Sequence, residues 1–256
     1  ARELLIEMLT KAGSGHTAGS LGSADFWTLL YFGGVKREQD KVVLSAGHYA
    51  PVLYAILAKA GYFDKEKLKT LRKLGSPLQG HPVYGSLPGI ENGSGSLGQG
   101  ISMAVGMAMA NKLDDKKSMI YCFMGDGEQN EGQVWEAYMS ASKFKLDNLT
   151  VVIDRNHIQI DGHTEEIMPT EPLRGKLLEF GFYVMECDGH NFEEMKDVLE
   201  KSKVIFEKPK AIILHTMPGK GVSFMENDPS WHGKAPTSIE AEREIEELKK
   251  SRTQDS

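Results

Sequence analysis

The sequence has little of what marks a secreted, membrane-spanning or nucleic-acid-binding protein. Its 256 residues include only two cysteines, Cys122 and Cys187, and each lies in an apolar segment that predicts a buried strand, so we expect reduced core thiols. The first residues do not form a signal peptide, and no run reaches the roughly 18 apolar residues of a transmembrane helix. The net charge of −6 and the scattered basic residues argue against a nucleic-acid surface. These absences favour a cytoplasmic protein with neither membrane nor nucleic-acid partner.

Motifs for zinc and for nucleotide phosphates are absent as well. The chain has no Cys-x-x-Cys pair, and none of its eight histidines has the close helical spacing that a zinc site uses. The stretch nearest to a nucleotide-binding loop, Pro218–Gly221, lacks the spaced first glycine and the hydroxyl after the lysine. The sequence therefore argues against a zinc enzyme and against a nucleotide-dependent phosphotransferase.

What the chain does contain is a regular alternation of helical and strand patterns, which predicts an α/β fold with a mainly parallel sheet flanked by helices. We expect one domain over residues 1–237, followed by a charged helix and tail over 238–256, in which Glu246 and Lys250 are spaced as a helical ion pair. Strands are predicted at 41–45, 118–124, 149–154, 182–187 and 210–215. Helices are predicted at 2–12, 23–32, 50–60, 64–74, 97–112, 128–143, 172–180, 191–202 and 238–250.

Polar residues follow two of these strands in a way that suits a cation. Gly125-Asp126-Gly127 closes the strand at 118–124, a helical pattern follows, and the next strand runs into Asp154-Arg155-Asn156. In such a βαβ unit, ligands bind outside the carboxyl ends of the strands, where Asp126 and Asn156 are expected to meet. The two glycines let the backbone approach phosphate oxygens, and we expect free N–H groups at the start of the following helix. A carboxylate and an amide oxygen suit Mg²⁺, or Ca²⁺ or Mn²⁺ in its place, holding a diphosphate.

Further motifs occur in a fixed order along the chain, each rich in Gly, Ser or His. Together with the Gly-Asp-Gly turn and Asn156, these motifs resemble the diphosphate-binding half of thiamine-diphosphate enzymes, and among them the transketolase family. The blocks that carry the resemblance are Ser14–Ser20, Leu44–His48, Gln79–Pro82, Leu87–Glu91, Gly95–Gly100, Ile158–Gly162 and Ser230–Gly233.

The resemblance implies a role for each motif residue. Four histidines would line the channel to the reactive carbon of thiamine diphosphate: His16 and His232 would move the proton on the carbonyl oxygen of the donor, His81 would hold its terminal hydroxyl, and His48 would lie nearest the cofactor. The metal would be bound by Asp126, Asn156 and the backbone carbonyl of Ile158. The remaining cofactor contacts implied are Gly95, Leu97, Gly125 and Gly127. Glu131 matches a subunit-interface carboxylate of the family, or is a glutamate favoured in the first turn of a helix.

The family resemblance also implies that the activity needs a second chain. The pyrimidine-binding domain, which supplies a glutamate to the cofactor, has no counterpart in this sequence, so we expect the N-terminal subunit of a split transketolase. Its partner would be a C-terminal subunit with that domain, assembled into a heterotetramer that self-associates through the diphosphate domain. The reaction would transfer a two-carbon ketol unit between sugar phosphates. The alternatives are a deoxyxylulose-phosphate synthase-like chain, a 2-oxo acid dehydrogenase α subunit, or a non-catalytic subunit of the same fold.

Overall fold

The computed structural model describes the backbone of residues 1–254 and the side chains of residues 1–250. At its centre, five strands pair in parallel in the order β1-β2-β3-β7-β6. A short antiparallel hairpin, β4 and β5, lies outside this sheet. The strands are β1 Lys41–Leu44, β2 Ile120–Gly125, β3 Leu149–Arg155, β4 Ile158–Gln159, β5 Gly162–His163, β6 Tyr183–Asp188 and β7 Lys210–His215. The α/β class with a parallel sheet is confirmed, and all five predicted strands are present.

Helices cover both faces of the sheet, as parallel strands require. Five of the nine predicted helices begin and end within two residues of their predicted bounds, and the helix predicted at 238–250 continues to Gln254. The α-helices are α1 Arg2–Ala12, α2 Ala18–Gly22, α3 Ala24–Leu29, α4 Ala50–Lys59, α5 Gln99–Leu113, α6 Gly132–Lys143, α7 Thr164–Ile167, α8 Leu173–Glu179, α9 Phe192–Ser202 and α10 Ser238–Gln254. The ion pair between Glu246 and Lys250 is present at 2.8 Å. The last two residues of the predicted tail lie outside the described residues.

The sheet separates two hydrophobic cores, and strand β2 contributes side chains to both. All six of its residues are buried, and their side chains alternate between the faces of the sheet. Tyr121 and Phe123 point into the core that contains Trp27, whose ring centroid lies 4.7 Å from that of Phe123. Ile120 and Met124 join Cys122 in the other core, under α5 and α6. Cys122 and Cys187 are both buried and free, as the sequence predicted.

Three predicted helices differ from the structure. The segment 128–143 is broken: a 3₁₀ turn, Gly127–Asn130, precedes α6, because Glu131 adopts an extended conformation between them. The segment 64–74 is only a 3₁₀ helix, Lys65–Thr70, although Asp64 caps it as expected by accepting from the amide of Glu66. The segment 23–32 is divided between α3 and a π turn, Leu30–Gly34. Across the described part of the chain, no helix combines the length and apolarity needed to cross a membrane.

Candidate active site

All five parallel strands end at the same edge of the sheet, and Asp126 and Asn156 follow two of them there. Gly125 lies opposite Asp154 in the pairing of β2 with β3, so Asp126 and Asn156 leave neighbouring strands close together, as predicted. A cavity of about 260 Å³ opens at this edge. It is lined by every predicted site residue except Asn156, which is buried beneath it: His16, His48, His81, Gly95, Leu97, Gly125, Asp126, Gly127, Ile158 and His232. Four residues that were not predicted as site residues line it as well: Tyr49, Glu128, Gln159 and Ile160.

The four motif histidines form one cluster in this cavity. The ring centroid of His16 lies 5.3 Å from that of His48, 5.7 Å from that of His232 and 6.5 Å from that of His81. Burial is the largest cause that lowers the pKa of each imidazole, and it brings the pKa of His16 to about 4, with His232 as the next cause. The rings are therefore neutral at pH 7, and each can accept a proton or donate one.

Local structure holds these histidines from segments far apart in the sequence. His16 follows Gly15, whose left-handed backbone (φ 147°) packs so closely on Leu9 that a Cβ atom would lie 2.3 Å from its side chain. The next residue, Thr17, donates a hydrogen bond of 2.6 Å to the carbonyl of Lys234, which ties the His16 loop to the His232 loop. His232 directly follows a 3₁₀ turn, Pro229–Trp231, capped by Asp228. The convergence depends on these long-range contacts.

Several polar atoms around the cavity have no hydrogen-bond partner among the described residues. They include Nδ1 of His16, Nδ1 of His232 and Nε2 of Gln159, all buried. Buried polar groups without partners are uncommon and are costly unless a ligand or water meets them. Their position in one cavity therefore indicates a polar ligand.

Asp126 is held by donors on both of its oxygens. Oδ2 accepts from the guanidinium of Arg155 at 2.7 Å, from the amide of His157 at 2.8 Å and from the hydroxyl of Thr164 at 3.3 Å, whereas Oδ1 accepts only from the amide of Gly127 at 2.8 Å. Burial raises the pKa of Asp126, although Arg155 opposes that shift. The open lone pairs are thus on Oδ1.

The backbone amides of the Gly-Asp-Gly turn itself are already paired. The amide of Gly125 donates to Glu128, that of Asp126 to the carbonyl of Asp154, and that of Gly127 to Asp126. The helix α6 begins only at Gly132. The turn presents backbone without side chains. It also packs closely on Gln159, because a Cβ atom on Gly127 would lie 3.0 Å from that side chain.

Two buried polar groups at the cavity, Glu128 and Asp154, were not predicted. Glu128 accepts from the hydroxyl of Ser45 at 2.5 Å, from the amide of Gly98 at 2.7 Å and from the amide of Gly125 at 3.2 Å, and burial raises its pKa to about 7. It joins the ends of β1 and β2 to the start of α5. Asp154 is fully buried beside Asn156, and burial raises its pKa to about 6. A polar residue at the end of an apolar strand was the only sequence signal for Asp154.

The donor set fits a hard divalent cation. The described residues contain no group of three or more His, Cys, Asp or Glu side chains placed to hold a metal ion. An ion at this edge would therefore need the amide oxygen of Asn156 and the carbonyl of Ile158 in addition to the Asp126 carboxylate. Mg²⁺ prefers oxygen ligands, and in proteins it is usually held by only one or two carboxylates together with phosphate and water.

The family model described as the transketolase thiamine diphosphate binding domain matches residues 1–255. The chain belongs to the transketolase family. Among curated relatives it is 41% identical to a subunit of the apulose-4-phosphate transketolase of Phocaeicola vulgatus, covering 96% of this chain and 90% of the relative. It is 43% identical to the 6-deoxy-6-sulfo-D-fructose transketolase subunit of Clostridium sp. strain MSTE9, covering 97% of this chain and 94% of the relative.

Solved structures of the transketolase family agree with this assignment. The chain superposes on transketolase from Campylobacter jejuni with a TM-score of 0.91 and 33% identity, over 97% of this chain and 41% of that one. It therefore spans less than half the length of such a transketolase. Glu131, the predicted interface residue, is exposed at the start of α6, a position open to either of the two interpretations given from the sequence.

Proposed function

We propose that this chain is the N-terminal subunit of a split transketolase, which transfers a two-carbon ketol unit from a ketose phosphate to an aldose phosphate. The observation that carries the proposal is the convergence of His16, His48, His81 and His232 on one cavity beside the Gly-Asp-Gly turn. The extent of the match to two relatives named as transketolase subunits supports the split-enzyme assignment. We further propose that residues 1–237 act as one diphosphate-binding domain.

Thiamine diphosphate with Mg²⁺ is the proposed cofactor pair. When bound, thiamine diphosphate supplies the nucleophilic carbon and the electron sink of the reaction. In this chain, Asp126, Asn156 and the carbonyl of Ile158 would hold the metal ion, Gly125 and Gly127 would face the diphosphate, and Gly95 and Leu97 would contact the rings. Gly95 is exposed, and a Cβ atom there would meet nothing within 4 Å, which supports a contact with a ligand at this position.

The histidines are proposed to bind the sugar and move its proton. His16 and His232 are neutral at pH 7 and have a free Nδ1 among the described residues, so either ring can exchange a proton with the carbonyl oxygen of the donor. His81 lies toward the rim and is the most exposed of the four, which suits a contact with the terminal hydroxyl. His48 is the most buried ring and would lie nearest the cofactor.

The proposed partner is a C-terminal subunit with the pyrimidine-binding domain, and we propose a heterotetramer with self-association through this domain. One feature supports the self-association: helix α5 buries only one face, and Ser102, Met103 and Gly106 are exposed on the other. Met139 of α6 is also exposed. The two free thiols support a reducing compartment, for which we propose the cytoplasm.

The test is reconstitution with the partner subunit. The two purified chains are mixed with Mg²⁺ and thiamine diphosphate, and ketol transfer is measured from xylulose 5-phosphate, apulose 4-phosphate and 6-deoxy-6-sulfofructose, the last two chosen from the names of the relatives. We expect transfer by the mixture and none by this chain alone. Transfer by the isolated chain would reject the split-enzyme assignment, and decarboxylation of pyruvate without ketol transfer would favour the synthase-like alternative.

A histidine variant adds a control for the site. In the mixture, His81→Ala should raise the KM for the donor about tenfold or more, because one hydrogen bond to a hydroxyl is lost. His163→Ala is the matched control, since His163 is exposed on the β4–β5 hairpin and does not line the cavity. Equal KM values for wild type and His81→Ala would remove the role assigned to His81.

A further inference from the structure

The side-chain amide of asparagine binds a cation through its oxygen only, because its nitrogen carries two protons and has no lone pair to offer. Asn156 can therefore act as a metal ligand in just one of the two orientations of its amide group. Those two orientations have nearly the same shape, so packing alone does not choose between them. Hydrogen bonds must make the choice.

The nitrogen of Asn156 is held by two groups that can only accept from it. Nδ2 donates to Oδ2 of Asp154 at 2.9 Å and to the hydroxyl oxygen of Tyr49 at 2.9 Å. An ionised carboxylate has no proton to donate. The single hydroxyl proton of Tyr49 is already donated to Asp154, so toward Asn156 this oxygen is an acceptor as well. A flipped amide would face two acceptors with its own oxygen and would be repelled by both.

The oxygen of Asn156 consequently faces the other way, toward the start of β4. Oδ1 accepts from the amide of Ile158 at 3.0 Å, and Ile158 is the residue whose carbonyl is the proposed third ligand. An amide oxygen has two lone pairs, so one remains for a cation. Two side chains, those of Asp154 and Tyr49, thus determine which atom of the Asn156 amide is available to a cation.

Asp154 is itself anchored independently of the amide. Its other oxygen, Oδ1, accepts from the hydroxyl of Thr216 at 2.5 Å, which leaves Oδ2 for Asn156 and Tyr49. None of these three partners is a cation. The Asp154 carboxylate therefore has no cationic partner among these three groups, whereas the charge of Asp126 is paired with Arg155.

We propose that Asp154 and Tyr49 are positioning residues for the metal ligand Asn156, fixing its amide so that the oxygen is presented to the cation. This inference rests on the proposed metal site. Partners that orient a metal ligand in this way commonly change metal affinity by tenfold to a hundredfold when they are replaced. Asp154 and Tyr49 would act on the ion through Asn156 and not as ligands of the ion.

The test measures Mn²⁺ affinity by electron paramagnetic resonance, with the whole chain and with thiamine diphosphate present, so that no turnover is required. Asp154→Asn should weaken binding at least about tenfold, because an amide at 154 can donate as well as accept and no longer fixes the orientation of Asn156. Tyr49→Phe should weaken it about tenfold, since one of the two acceptors is lost. Thr216→Val is the matched control: it removes a hydrogen bond from the same carboxylate without touching Asn156, and affinity should stay within about twofold.

Each outcome separates the inference from the function on which it rests. Wild-type protein that binds no Mn²⁺ would overturn the metal assignment and this inference with it. Wild-type binding with unchanged affinity in both Asp154→Asn and Tyr49→Phe would overturn the inference alone. Equal losses in all three variants, Thr216→Val included, would show a general effect of packing and would also overturn it. If Asp154→Asn does not fold, the comparison of Tyr49→Phe with Thr216→Val decides.

Discussion

The imidazole rings of His16 and His232 meet edge to face with their centroids 5.7 Å apart, although one residue lies near the start of the chain and the other in its last third. Both rings are largely buried, so a proton on either ring would be poorly solvated. A positive charge on one would also repel a charge on the other. The pKa of each ring is therefore lowered, that of His16 to about 4.

Replacing one ring should change the titration of the other. In His232→Gln, we expect the pKa of His16 to rise above about 4, because the second cause of its shift is removed, and to remain below 6.5, because burial is the first. The measurement is an NMR titration of the imidazole Cε1 protons. His215→Gln, a change at an exposed ring that pairs with Glu186, is the control and should leave His16 unaltered. A His16 pKa that is the same in His232→Gln and wild type would contradict the coupling.

Glu128→Gln should destabilise the site and the fold together. A glutamine can turn its oxygen toward Ser45 and Gly98, but its nitrogen then faces the amide of Gly125, so two donors meet in a buried position. We expect a loss of about 2 to 4 kcal/mol in the free energy of unfolding, measured by urea denaturation. Glu136→Gln, on the exposed face of α6, should change it by less than about 0.5 kcal/mol. A similar, small effect of both changes would show that Glu128 does not join the three segments.

Two glycines of α5 should respond in opposite ways to alanine. A Cβ atom on Gly100 would lie 2.5 Å from the Cα of Ser45, so Gly100→Ala must displace the end of β1 and should cost about 1 to 3 kcal/mol. A Cβ atom on Gly106 would meet nothing within 4 Å, and Gly106→Ala should stabilise the helix by about 0.5 to 1 kcal/mol. Thermal unfolding of the two variants checks the pair. If both variants are stabilised, the end of β1 moves away from the new Cβ atom at position 100 with little cost in free energy.

Glu244 should make stability fall as the pH rises. Burial, reinforced by Glu240 and Glu247, raises the pKa of this carboxyl to about 7, and neither oxygen has a hydrogen-bond partner among the described residues. In the unfolded chain the group titrates near about 4.3, so between these values the folded state holds the extra proton. Stability is therefore lost as the pH rises from about 4.3 to about 7, by on the order of 1 to 3 kcal/mol.

The measurement compares urea unfolding at pH 5 and pH 8. The side chain of Glu244→Gln cannot titrate. Between the two pH values this variant should therefore lose less free energy of unfolding than wild type, by on the order of 1 to 3 kcal/mol. Glu242→Gln, at an exposed position of the same helix, should retain the wild-type difference. If Glu244→Gln and wild type lose the same stability, the carboxyl is not protonated in the folded state.

The strands were predictable because each is a short apolar or β-branched run, and such runs report burial on both faces of a parallel sheet. The break between Glu128 and α6 was not predictable, because the Glu128 side chain is drawn inward by Ser45 and Gly98, which are distant in sequence. The hairpin of β4 and β5 has two residues per strand, too few to leave a periodic pattern.

At the site, the sequence predicted which loops matter but not how they are supported. The ordered motifs identify His16, His48, His81 and His232, and these four side chains line one cavity. Asp154 and Tyr49 carry no motif of their own. Their importance follows from which atoms donate and which accept, and that is visible only when the side chains are placed.

The polarity of the sheet has a practical consequence for experiments on this protein. All of the residues proposed to bind ligands lie at the carboxyl edge of the sheet. Lys116, with 62% of its side chain exposed, lies just ahead of β2 at the amino edge. Because both native thiols are buried, Lys116→Cys would give maleimide reagents a single accessible target. A fluorophore attached there could report docking of the proposed partner chain, or tether the protein to a sensor, while leaving the candidate site unobstructed.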